Sequence, residues 1–122
     1  MNKVFLIDID GTICDDIKNE DSHLYLTAKH YPDALETLNN WYALGHIITF
    51  FTAREEKDRK VTETWLNDKG FKYHGLVMDK PRIKDGQEYH WIDNRKVRAT
   101  QFLGNFTELI EKDTTIEVFK KD

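Results

Sequence analysis

Short runs of wholly apolar residues alternate with longer stretches whose apolar positions recur at helical spacing, and this alternation outlines the chain. Val4-Phe5-Leu6-Ile7 is the first run; it predicts a strand over Lys3–Ile7 that stops at the polar sequence Asp8-Ile9-Asp10-Gly11-Thr12. Thr12–Tyr31 is polar and shows no period. Pro32 then opens a predicted helix in which Leu35, Leu38, Trp41 and Tyr42 share one face, and which stops near Gly45. Ile47-Ile48-Thr49-Phe50-Phe51 is apolar on both faces, as a central parallel strand should be. A second helix is predicted over Lys57–Asp68, with Val61, Trp65 and Leu66 as its stripe and Gly70 as its stop. His74–Met78 reads as a third strand. Beyond the charged loop Asp79–Glu88, Tyr89-His90-Trp91-Ile92 reads as a fourth, and Thr115–Phe119 as a last. Strands alternating with helices, joined by right-handed crossovers, predict a three-layer α/β/α sandwich around a parallel sheet.

Composition narrows the classes. A chain of 122 residues can bury one proper core, so a single domain is expected. Its net charge of −4 disfavours non-specific binding to nucleic acid, which takes a basic surface. Cys14 is the lone cysteine, so neither an internal disulfide nor a cysteine-rich zinc site can form. Asp8 interrupts the first apolar run and no run approaches the length of a membrane span. A soluble, cytoplasmic protein without membrane partners is the expectation. His23, His30, His46, His74 and His90 lack metal-ligand spacing, and Trp41, Trp65 and Trp91 are expected in the core. Arg82, Lys84, Arg95, Lys96 and Arg98 are read as a solvated basic face.

The chemically capable residues fall just beyond predicted strands: Asp8 and Asp10, then Thr52 and Arg54, then Lys80, then Asp93 and Asn94. In an open parallel sheet these carboxyl ends converge on one crevice, where ligands bind. Burying a carboxylate there is costly unless a cation or hydrogen bonds compensate it, and two together suggest a metal ion and an anionic substrate. Oxygen donors suit Mg²⁺, and a lysine and a threonine hydroxyl suit a phosphoryl group.

The chain resembles the haloacid dehalogenase (HAD) superfamily in its phosphatase branch. Asp8-Ile9-Asp10-Gly11-Thr12 matches the DxDGT motif, Phe51-Thr52-Ala53-Arg54 the second motif, Lys80-Pro81 the third and Ile92-Asp93-Asn94 the fourth. The resemblance implies a Rossmann-like sheet and a covalent mechanism. In it Asp8 is the nucleophile, Asp10 the general acid and base, and Thr52 and Lys80 the phosphoryl partners. It also implies Mg²⁺ held by Asp8, the Asp10 carbonyl and Asp93, with Asn94 standing where a second acid is usual. Gly11 and Thr12 are expected to approach the phosphate. Arg54 is expected either to touch substrate or to pair near Glu55 and Glu56.

Related phosphatases insert cap domains after the first motif or before the third; the gaps here are too short for either, so an uncapped enzyme is expected. A looser resemblance to short HAD proteins of capsule or surface-sugar biosynthesis favours a small phosphorylated metabolite: a sugar, polyol or amino-alcohol phosphate. A polynucleotide 3′-phosphatase and a non-catalytic binding module are the alternatives. Any selectivity would then reside in Cys14–Tyr31, in Ile83–Glu88, or in a homo-oligomer formed through exposed aromatics such as Tyr25, Tyr31 or Phe102.

Overall fold

A computed structural model describes residues 2–102 and 106. Contacts divide the chain into two compact units, Met1–Arg82 and Ile83–Asp122. In the first unit, strands β1 (Val4–Ile7), β2 (Ile47–Phe51) and β3 (Gly75–Val77) alternate with helices α1 (Pro32–Ala43) and α2 (Arg59–Lys69). The sheet is parallel in the order β1-β2-β3, with Ile7 opposite Phe50 and Phe51 opposite Val77. The predicted α/β class with a parallel sheet is therefore present, and each of the three strands lies inside the run that predicted it.

Two right-handed crossovers that step in the same direction along a sheet lay their helices on one face. The register assigns Phe5, Ile7, Ile48, Phe50 and Leu76 to that face. Trp41 of α1 stacks on Phe5 with ring centroids 4.3 Å apart, and Phe50 meets Phe71 edge-on. Trp65 of α2 stacks on Phe71, and its indole N–H donates to Ala28 O at 3.0 Å, which ties the second helix to the loop before the first. Leu38, Trp41, Trp65 and Leu66 are buried as their spacing predicts. Gly70 ends α2 at φ +88°, a left-handed position that glycine adopts without a Cβ clash.

The polar stretch before α1 holds a 3-10 segment, Asn19–Thr27, kinked at Asp21. It packs against α2 and carries the fully buried Tyr25. An amphipathic period could not foretell this, because only one residue of the segment is buried.

In the second unit, Tyr89–Ile92 forms no strand, contrary to expectation. Trp91 is half exposed and Ile92 is 88% exposed, so the run lacks the pleated surface on which β-propensity depends. Trp91 is therefore not a core residue. The predicted strand Thr115–Phe119 lies outside the described residues. No helix among the described residues is long and apolar enough to cross a membrane.

Candidate active site

Parallel register delivers the three strand ends of the first unit to the same edge of the sheet. Asp8 follows β1, Thr52 follows β2, and Lys80 stands three residues beyond β3. Lys80 reaches its place through a turn. Asp79 adopts φ +61°, unusual for a residue with a Cβ but more tolerable for aspartate than for most. Its N–H donates to Arg54 O at 2.8 Å, the Lys80 N–H donates to Thr52 O at 2.9 Å, and its carboxylate accepts from the Glu56 N–H at 3.3 Å. The turn thus hooks the chain after β3 onto the chain after β2. It brings Lys80 Nζ to 3.2 Å from Asp8 Oδ1.

A second turn shapes the other side. The N–H groups of Thr12 and Ile13 both donate to Ile9 O, and Gly11 stands at φ +81°, where an added Cβ would lie 3.3 Å from Asp16 Cγ. A side chain here would carry left-handed strain and crowd Asp16, so glycine is favoured. The Gly11 N–H donates to Cys14 O, so the amides of Gly11 and Thr12 are engaged within the turn rather than turned toward a ligand. The Thr12 hydroxyl donates to Asp8 Oδ2 at 3.3 Å.

Asp8 and Asp10 differ sharply in surroundings. The Asp8 side chain is 38% exposed and meets Lys80; the Asp10 side chain is 13% exposed and meets Arg54. Arg54 Nε and Nη2 donate to the two Asp10 oxygens at 2.9 and 2.7 Å, a two-pronged contact. Burial raises the Asp10 pKa above its usual value; the Arg54 hydrogen bonds and charge pull it down, and the Asp8 charge pushes it up. Desolvation is the largest of these, which favours a carboxyl that can carry a proton. Cys14 lies close by, but burial, then the Asp10 charge, push its pKa up to about 12. It is a thiol and not a nucleophile.

Arg54 is where sequence and structure differ most. It neither pairs with Glu55 or Glu56 nor lies at the surface; it is fully buried and bound to Asp10. Its Nη1 donates to Thr62 Oγ1 at 3.1 Å, and its Cζ lies 3.7 Å from the centre of the Tyr25 ring. Tyr25 was expected as an exposed contact for self-association; its complete burial removes it from that role. Thr62 did leave a trace in the sequence, being a polar residue three and four positions before Trp65 and Leu66 on the apolar stripe. Thr52 is buried, and its Oγ1 accepts from the Arg54 N–H at 3.1 Å.

Asp93 and Asn94 belong to the second unit. There Asp93 accepts from the Trp91 indole at 3.1 Å and from the Arg95 N–H at 3.0 Å, and the backbone bond to Arg95 is the main cause lowering its pKa. Among the described residues no group of three or more His, Cys, Asp or Glu side chains forms a ready-made metal cluster. The donors at Asp8 and at the Asp10 carbonyl are hard oxygens. That suits Mg²⁺, which keeps several waters and takes one or two carboxylates.

The family model of the PITM 1-3 LNS2 domain matches residues 5–115. A Bacillus cereus protein named "Putative nucleotidase" is 32% identical over 77 residues, which are 63% of this chain and 40% of that protein. The chain thus spans less than half the length of that relative. The crystal structure of an MCSG target from Vibrio cholerae superposes with a TM-score of 0.54 at 23% identity, covering 79% of this chain and 83% of that one. At that identity the likeness concerns the fold.

Proposed function

The chain belongs to the LNS2-domain family, whose fold is HAD-like, and on that premise we propose that it is a phosphomonoester hydrolase working through an aspartyl-phosphate. The observation that carries the reading is the division of two neighbouring carboxylates between two environments. One is accessible beside a lysine; the other is buried and held by an arginine. Such a division sets a nucleophile apart from an acid and base.

Asp8 attacks phosphorus, the bond to the ester oxygen breaks, and the departing alcohol takes a proton from Asp10. Asp10, now a carboxylate, accepts a proton from water as its oxygen attacks the aspartyl-phosphate, freeing phosphate and restoring Asp8. Lys80, 3.2 Å from the Asp8 carboxylate, offsets phosphoryl charge. The Asp8 carboxylate and the Asp10 carbonyl would hold Mg²⁺, which supplies further charge neutralisation when bound.

The substrate we propose is a small phosphorylated metabolite. The name of the Bacillus cereus relative puts nucleoside monophosphates beside sugar and polyol phosphates, and the acidic net charge ranks a polynucleotide 3′-phosphate below them. The test is phosphate release from a panel of these compounds and 4-nitrophenyl phosphate, with Mg²⁺ and with chelator. Metal-dependent turnover abolished by Asp8→Asn is expected. Absence of release from every phosphomonoester would overturn the reading in favour of a binding module.

A further inference from the structure

Arg54 is the largest charged group buried in the first unit, and a buried ion pair is a poor way to stabilise a fold. Desolvating both ions costs several kcal/mol, and well-packed apolar residues often serve as well or better. Its bonds show what the arrangement provides instead. A guanidinium is a planar fork, and two parallel N–H bonds to one carboxylate fix the plane of that carboxylate as well as its position. With 2.9 and 2.7 Å contacts to its two oxygens, Asp10 cannot turn about its side-chain bond without losing both. Oδ1 also accepts a long contact from Cys14 Sγ at 3.9 Å, while Oδ2 has a second lone pair for a proton.

The fork is itself held on three sides. Thr62 Oγ1 accepts from Arg54 Nη1 and donates to Asp58 O at 2.8 Å, which ties the guanidinium to the first turn of α2. The Tyr25 ring covers one face of the guanidinium. The Tyr25 hydroxyl donates to Asn19 Oδ1 at 3.3 Å, and Asn19 Nδ2 donates to Ala53 O at 3.0 Å, beside Arg54 in sequence. The 3-10 segment, α2 and the end of β2 thus close around one side chain. All three guanidinium nitrogens bond to the protein, and full burial keeps them from an entering phosphoryl group.

We propose that Arg54, clamped between Tyr25 and Thr62, is a positioning residue that holds the Asp10 carboxyl in line with the departing ester oxygen, and that it is not a phosphate ligand. This rests on the reading of Asp10 as the group that protonates that oxygen. Proton donation matters most when the leaving alkoxide is strongly basic. Damage to the clamp should therefore scale with the leaving group, a signature that general loss of structure would not give.

The experiment compares kcat/KM, which reports steps up to departure of the alcohol, for 4-nitrophenyl phosphate, phenyl phosphate and glycerol 1-phosphate. The inhibition constant for inorganic phosphate and the circular dichroism of each variant are measured alongside. Arg54→Lys keeps the charge and loses the fork; Tyr25→Leu keeps Arg54 and loses the platform. For Arg54→Lys the expected loss is under about tenfold with 4-nitrophenyl phosphate and on the order of 10²-fold or more with glycerol 1-phosphate. Phosphate inhibition should stay within about twofold of wild type, since no phosphate contact is removed. Tyr25→Leu should show the same slope more weakly. In an Asp10→Asn background, Arg54→Lys should add no further dependence on the leaving group.

A uniform loss with weakened phosphate inhibition would make Arg54 a phosphoryl ligand and overturn the proposal. A uniform loss in both variants that follows the folded fraction would leave it a purely structural pair, and overturn it equally. Failure of the underlying reading looks different. Either the wild type releases no phosphate from any ester, or Asp10→Asn itself shows no dependence on the leaving group, and the proposal then falls with that reading.

Discussion

Asp8 and Asp10 stand two positions apart with Ile9 fully buried between them, and their different partners, Lys80 for one and the buried Arg54 for the other, set their surroundings apart. Replacing Asp8 by Asn should lower turnover by several orders of magnitude, as loss of an essential nucleophile does elsewhere. The melting temperature should barely change, since Asp8 is part-exposed and its bonds to Lys80 and Thr12 lie at the surface edge. Asp79 makes a different kind of demand. At φ +61° its Asp79→Ala variant should be about 1 kcal/mol less stable than Asp79→Gly in urea titration, because alanine carries the left-handed strain and glycine does not. The positions of Asp8, Asp10, Thr52 and Lys80 were legible because each follows an apolar run that could only be a strand. Tyr25 and Thr62 were not legible as partners of Arg54. Their value lies in contacts between residues far apart in sequence, and neither periodicity nor a short motif records such a meeting.

Helix α2 shows how an element can serve core and site together. Its Trp65 fills the space over Phe71 and donates to Ala28 O, while Thr62, one turn earlier, holds Arg54. Trp65→Ala should destabilise the protein by about 3–5 kcal/mol, a large part of the stability of a small domain. Trp65→Phe keeps much of the ring contact but strips Ala28 O of its donor, and should cost about 1–3 kcal/mol. Urea unfolding of both variants checks the ordering. Elements with a helical stripe or a continuous apolar run were predicted to within a few residues, because burial on one face writes itself into spacing. Tyr89–Ile92 failed for the converse reason. Four residues rich in aromatics satisfy a strand's composition, but a strand also needs a neighbour to pair with, and composition cannot supply one.

At the scale of the whole molecule, removal of divalent metal should abolish turnover and leave the far-ultraviolet circular dichroism unchanged. The fold of Met1–Arg82 is held by packed aromatics and strand pairing rather than by a metal cluster among the described residues. Added Mg²⁺ should raise the melting temperature only as far as its affinity for the native state allows. The hooked turn at Asp79 has a further consequence, for changes in chain length. Lys80 is indexed to the end of β2, through the bonds of its own and its neighbour's amide to Thr52 O and Arg54 O. One residue inserted between Val77 and Lys80 would break that count and carry the ammonium away from Asp8. Lengthening the Lys84–Gln87 turn, whose Gly86 has no atom within 4 Å of an added Cβ, leaves the count intact. Length variation should therefore be tolerated after Arg82 and forbidden immediately before Lys80.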